Sequence, residues 1–83
     1  MKLIYFAWIR ERLGIEEEEI DLPNSVTTVQ DLLLWQQGRD DQYEGAFADL
    51  DTIRVALDQF HAERDDPVAG ASEIAFFPPM TGG

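Results

Sequence analysis

The sequence predicts a single α+β domain, a mixed sheet with one main helix packed on one face. Three observations predict it. Alternating apolar stretches lie at both ends of the chain, a helix-period segment lies between them, and the order runs strand, strand, helix, strand, short strand, strand. With 83 residues, 45% of them hydrophobic and 11% aromatic, the chain has material for one core. A fold of this size buries only roughly 60% of its unfolded surface, which leaves no room for a second domain.

Met1 to Ile9 alternates, with Leu3, Tyr5, Ala7 and Ile9 on one side and Lys2, Ile4, Phe6 and Trp8 on the other, so it reads as the first strand. Arg10 to Leu13 followed by Gly14 reads as one helical turn stopped by a glycine. Glu16 to Leu22 returns as a second strand paired with the first, and Pro23 ends it. Thr27 with Gln30 fits a capping box. Val29, Leu32, Leu33 and Gln36 then recur at helical spacing, giving a main helix over Thr28 to Gln37 that Gly38 stops in the left-handed conformation. Tyr43, Phe47 and Leu50 suggest a short second helix containing Gly45. Ile53 to Leu57, Phe60 to Ala62 and Glu73 to Phe77 complete the strands before Pro78-Pro79 halts pairing.

Seventeen acidic residues against six basic ones give a formal charge of −11, which repels nucleic-acid phosphates and anionic membrane surfaces alike. Neither is expected as a partner, whereas a protein with a positive docking face would be steered toward this chain. No stretch approaches the ~20 apolar residues of a membrane span, and the N-terminus lacks a secretory apolar region, so the chain reads as cytoplasmic. The absence of cysteine excludes disulfides, thiolate metal sites and a thiol nucleophile.

The body of the chain is poor in candidate chemistry. Four consecutive glutamates, Glu16 to Glu19, point alternately to opposite faces of a strand and cannot converge on one cation, so they read as a solvated edge. His61 is the only histidine, and neither Ser25 nor Ser72 sits in a nucleophile turn beside it. There is no nucleotide-binding glycine loop, and no metal or other cofactor is expected to be bound by this chain.

The chain end is different: Phe76-Phe77-Pro78-Pro79-Met80-Thr81-Gly82-Gly83. Two prolines lack backbone donors, so residues 78–83 should leave the domain as an extended, flexible tail reaching about 20 Å at ~3.3 Å per residue. Gly82 and Gly83 let the terminal carboxylate pass a channel too narrow for side chains. Attack of that carboxylate on the α-phosphate of ATP would give a mixed anhydride, which a persulfide could convert to a thiocarboxylate. Sulfur would then be carried without a cysteine.

The block Glu73-Ile-Ala-Phe-Phe-Pro-Pro-Met-Thr-Gly-Gly83, with Asp66-Pro67 and Gly70 before it and Phe6-Ala7, Arg10-Glu11 and Gly14 near the start, resembles the small, sulfur-carrier subunits of molybdopterin synthase. The likeness covers the whole chain, although Gln36 to Leu50 matches only in pattern. It implies a β-grasp, ubiquitin-like fold over residues 1–83. It also implies that an adenylating enzyme using ATP and Mg activates Gly83, with Gly82 as its steric escort, and that a sulfur donor protein makes the thiocarboxylate. The large synthase subunit, joined in a heterotetramer, would then receive the tail, and the sulfur would go to cyclic pyranopterin monophosphate to build the dithiolene of molybdopterin. The catalytic pocket would belong to the large subunit.

Strand parity puts Phe6 and Phe77 on the sheet face away from the helix, with Phe77 exposed, and the resemblance implies that both contact partners, as would Pro78, Pro79, Met80 and Thr81. Arg10 either pairs with a partner acid or caps the first helical turn. His61 falls where members of the family carry an apolar contact residue. Three other functions share these features: a sulfur carrier for another pathway such as thiamine biosynthesis, a ubiquitin-like protein modifier, and an interaction module whose tail does no chemistry.

Overall fold

The computed structural model of the chain describes residues 1–79. Strands β1 (Lys2–Tyr5), β2 (Glu17–Glu19), β3 (Arg54–Leu57), β4 (Phe60–Ala62) and β5 (Glu73–Phe77) are joined by helices α1 (Ala7–Leu13), α2 (Val29–Gln37) and α3 (Asp41–Ala46) and a 3₁₀ turn (Leu50–Thr52). The sheet order is β2-β1-β5-β3-β4. The central pair β1 and β5 runs parallel while the other pairs are antiparallel. This mixed sheet with its main helix on one face is the β-grasp, ubiquitin-like fold.

The inner face explains why the fold holds. Leu3, Tyr5, Ile74, Phe76 and Val55 alternate inward from β1, β5 and β3 and meet Val29, Leu32 and Leu33 of α2, all essentially sealed from water. Tyr5 stacks on Phe76 at 5.4 Å between centroids, and Phe47 meets Phe76 edge-on at the same separation, geometries that add to area burial.

Several elements differ from the sequence reading. The first strand ends at Tyr5 rather than Ile9, because Ala7 takes a left-handed φ of 54° and starts α1, which buries Ile9 and Leu13 at helical spacing. An unbroken apolar run satisfies both periods, and here the helical one prevails. Trp8 therefore leaves the outer strand set and lies half-buried on α1, with the Arg12 guanidinium 4.9 Å from its ring centre. Gly14 does close α1, and it does so in the left-handed conformation, at φ 76°. The second strand is only Glu17–Glu19 and not Glu16 to Leu22, since its partner β1 offers register to just Lys2, Leu3 and Ile4. The cap of α2 is Thr28 with Asp31, not Thr27 with Gln30; Asp31 also accepts from the Thr27 hydroxyl at 2.9 Å. Gly38 ends α2 at φ −93° rather than left-handed, because the chain turns directly to Asp40, whose carboxylate caps α3. Phe47 and Leu50 lie beyond α3, at its C-terminal cap and in the 3₁₀ turn.

The glutamate run is not uniformly solvated. Glu18 has the opposite strand parity from Glu17 and Glu19, and its carboxylate accepts from Tyr5 Oη at 3.1 Å, Tyr43 Oη at 2.7 Å and the Arg39 guanidinium. Arg39 also donates to Gln36 Oε1 and lies over the Tyr43 ring, while the buried Gln36 amide donates to Tyr5 Oη at 2.8 Å. Burial alone would raise the Glu18 carboxyl, but the hydrogen bonds from Arg39 and Tyr43, together with the Arg39 charge, outweigh it and hold the group below the usual range. Burial, followed by its bond to Glu18, pushes the Tyr43 hydroxyl up to about 12. One closed network thus ties the β2 edge to α2 and α3.

Candidate functional site at the root of the tail

The face of the sheet opposite α2 is made by the other parity of the same strands. Register aligns Glu17, Ile4, Ala75, Ala56 and His61 in one row across all five strands. Phe77 lies toward the tail on β5, opposite Arg54 of β3. Phe6, just past the end of β1, donates its backbone N–H to the Phe76 carbonyl at 3.1 Å, which fixes it beside the tail root. Its side chain is 45% exposed. Ile4, Ala75, Phe6 and Phe77 therefore give an apolar strip ending where Pro78 and Pro79 leave the sheet.

Phe77 departs from expectation in degree: it is on the outer face but half-buried rather than exposed. Because β5 is central, Phe77 has neighbouring chain on both sides, which an edge residue would not. Arg10 follows Phe6 on α1, exposed, with Nη1 3.6 Å from Glu16 Oε1, and it is a basic residue of the last turn whose carbonyl accepts the Gly14 N–H that closes the helix. His61 is exposed at the end of the cross-sheet row. The most exposed aromatic, Phe60, pairs with Leu57 and has inner-face parity on the β4 edge, away from the strip. Pro78 and Pro79 are half-buried. Met80, Thr81, Gly82 and Gly83 lie outside the described residues.

A cleft of about 440 Å³ opens at the β3–β4 edge of the sheet, where Val29 of α2 and the strand residues Val55 and Ala62 meet the polar side chains of Asp51, Arg54, His61, Glu63 and Arg64. Sequence reading missed it, since Arg54 sits in an alternating strand and only the β3–β5 register brings it next to Phe77. Among the described residues no group of three or more histidine or acidic side chains could hold a metal, and no helix is long and apolar enough to cross a membrane.

Comparison with known proteins agrees with this geometry. The chain is 33% identical over 85 residues to the molybdopterin synthase sulfur carrier subunit of Escherichia coli (strain K12), covering 100% of this chain and 99% of that one. Among solved structures it is similar to a putative molybdopterin converting factor, subunit 1, from Pyrococcus furiosus, at a TM-score of 0.72 and 28% identity over 94% of each chain. It is also similar to the small archaeal modifier protein 1 of Haloferax volcanii, at 0.71 and 26% identity over 100% of this chain and 98% of that one. Residues 3–83 match the ThiS family, and with 81 of 83 residues inside that match the chain belongs to the ThiS family.

Proposed function

We propose that this chain is the sulfur carrier of a molybdopterin synthase, with Gly83 as the group that bears sulfur and the outer sheet face as its docking handle. The observation that carries the reading is positional: the Gly-Gly end of the sequence follows a central strand that ends beside an apolar strip. Full-length likeness to a sulfur carrier subunit supports it.

The chemistry follows from the carboxylate. As a leaving group oxide is poor, so an oxygen of Gly83 attacks the α-phosphorus of ATP on an activating enzyme and pyrophosphate departs. A persulfide sulfur displaces AMP, and a thiol cleaves the resulting S–S bond to leave the thiocarboxylate. Anchored by Phe6 and Phe77, the tail then enters a pocket of the large subunit, where the sulfur bonds to the pterin precursor, cyclic pyranopterin monophosphate, and water cleaves the acyl C–S bond to return Gly83 as a carboxylate. Two such deliveries build the dithiolene. Pro78 and Pro79 stiffen the approach and Gly82 clears the channel.

Intact-mass measurement after incubation with the activating enzyme, ATP and a sulfur source tests this. The expected result is a mass gain equal to exchange of one oxygen for sulfur at Gly83, followed by molybdopterin formation when the large subunit and precursor are added. A carrier extended by one bulky residue past Gly83 should be inactive unless trimmed. Likeness to the small archaeal modifier protein favours a second reading, attachment of Gly83 to lysines of other proteins. Covalent adducts on denaturing gels would support it.

A further inference from the structure

The six basic residues are not equally engaged. Lys2 pairs with Glu17, Arg10 with Glu16, Arg39 with Glu18 and Arg64 with Asp51, while Arg12 covers the Trp8 ring. Arg54 has neither. Its Nη1 donates only to backbone carbonyls, Asp51 O at 2.8 Å and Ile53 O at 3.5 Å, and among the described residues no carboxylate reaches it within ion-pair distance. In a chain of 17 acidic residues, an arginine with neither an acid nor an aromatic ring against its charge is the exception that needs a cause.

Position supplies one. Arg54 is the cross-strand neighbour of Phe77 on the outer face, and it also lines the cleft at the β3–β4 edge. Two arginines and two acids, Asp51 and Glu63, line that cleft, so the site is locally balanced while the whole chain carries −11. An incoming anion meets less repulsion here than at the other edge of the sheet, where β2 is Glu17–Glu19. The open side of a guanidinium is a fork matched to a carboxylate.

We infer that Arg54 receives an acidic side chain of the docking partner, an Asp or Glu of the large synthase subunit set within an otherwise basic face, and that this pair fixes the register in which Phe77 and the tail approach. The inference rests on the functional reading above and adds a contact that the overall charge would not suggest, since charge alone calls for a wholly basic partner. One acid on a basic surface meeting one base on an acidic surface rejects misaligned docking, because any slip places like charges together.

The test is calorimetric titration of the full-length carrier with its large subunit. Arg54→Gln should weaken binding about tenfold and Arg54→Glu about a hundredfold, while Arg54→Lys retains most of the affinity. Arg12→Glu, an equal charge change on α1, should alter affinity less than threefold. In the wild-type complex, where no variant can misfold, the Arg54 guanidinium resonance should shift and its Nε proton exchange more slowly. Arg54→Glu binding as tightly as wild type, or an unmoved Arg54 resonance, overturns the pairing while leaving the sulfur-carrier reading intact. Failure of the wild type to bind the large subunit, with no sulfur gained at Gly83, overturns both.

Discussion

The two faces of one sheet carry opposite demands, and adjacent residues of β5 show it. Phe76 is sealed between Tyr5 and Phe47, while Phe77, one residue on, looks out beside Phe6 at the tail root. Strand alternation turns a Phe-Phe pair into one core residue and one surface residue. Stability and docking are thereby separable in this molecule, each written on its own parity, and mutations can be chosen to strike one without the other.

The largest effect expected is on stability at the inner face. Phe76→Ala should cost about 3–5 kcal/mol, the range for deleting a buried aromatic ring, measured by urea denaturation. Phe77→Ala, half-covered on the outer face, should cost about 1 kcal/mol or less. Equal losses would break the division between the faces.

Next in size is the polar network that fastens β2. Glu18→Gln keeps the shape but removes the charge that Arg39, Tyr43 and Tyr5 address, and should cost about 2 kcal/mol. Its pH signature has a definite sign. The Glu18 carboxyl is lower in the fold than in the unfolded chain, so its contribution is complete above the ordinary glutamate value of 4.5 and is lost as pH falls through the folded value. Melting temperature should fall below about pH 4.5 less steeply in Glu18→Gln than in wild type. Some acid sensitivity should survive, since hydrogen bonds from Thr27, first its hydroxyl, also hold Asp31 below its usual value. At the alkaline end Tyr43, held protonated up to about 12 against an ordinary 10.0, contributes fully below pH 10, and that contribution is lost as pH rises through about 12.

How much of this was legible beforehand depends on which residues interact locally. The alternation of Glu73–Phe77 and Phe60–Ala62, and the spacing of Val29, Leu32, Leu33 and Gln36, are contained in short windows, and those elements fall where the pattern put them. So do Phe6 and Phe77 on a shared outer face, because parity propagates along a strand. Ala7 could not be foreseen, since its left-handed φ is disfavoured for any L-residue with a Cβ and holds only in its tertiary setting. Glu18 and Arg54 were missed for a related reason. Their meaning comes from partners 21 residues away in one case, Arg39, and from cross-strand register in the other. A single parity step inside the glutamate run was the available hint for Glu18.

Docking affinity gives the third effect. Phe77→Asp places a charge in the outer strip without touching the inner face, and should weaken binding to the large subunit at least tenfold by calorimetry, which corresponds to about 1.4 kcal/mol. Melting should stay within a few degrees of wild type. Unchanged affinity would remove the strip from the interface and leave only the tail to recognise the partner.

The smallest effect tests the separation from a third direction, away from both faces. Gly45 lies inside α3, where a glycine costs about 0.5–1 kcal/mol relative to alanine because the unfolded chain has more freedom to lose. A Cβ built there meets nothing within 4 Å. Gly45→Ala should therefore raise stability by up to about 1 kcal/mol in urea denaturation while affinity for the large subunit stays unchanged. If added stability at this remote helix tightened or loosened docking, the outer face would be coupled to the rigidity of the body, and the independence of the two parities would fail.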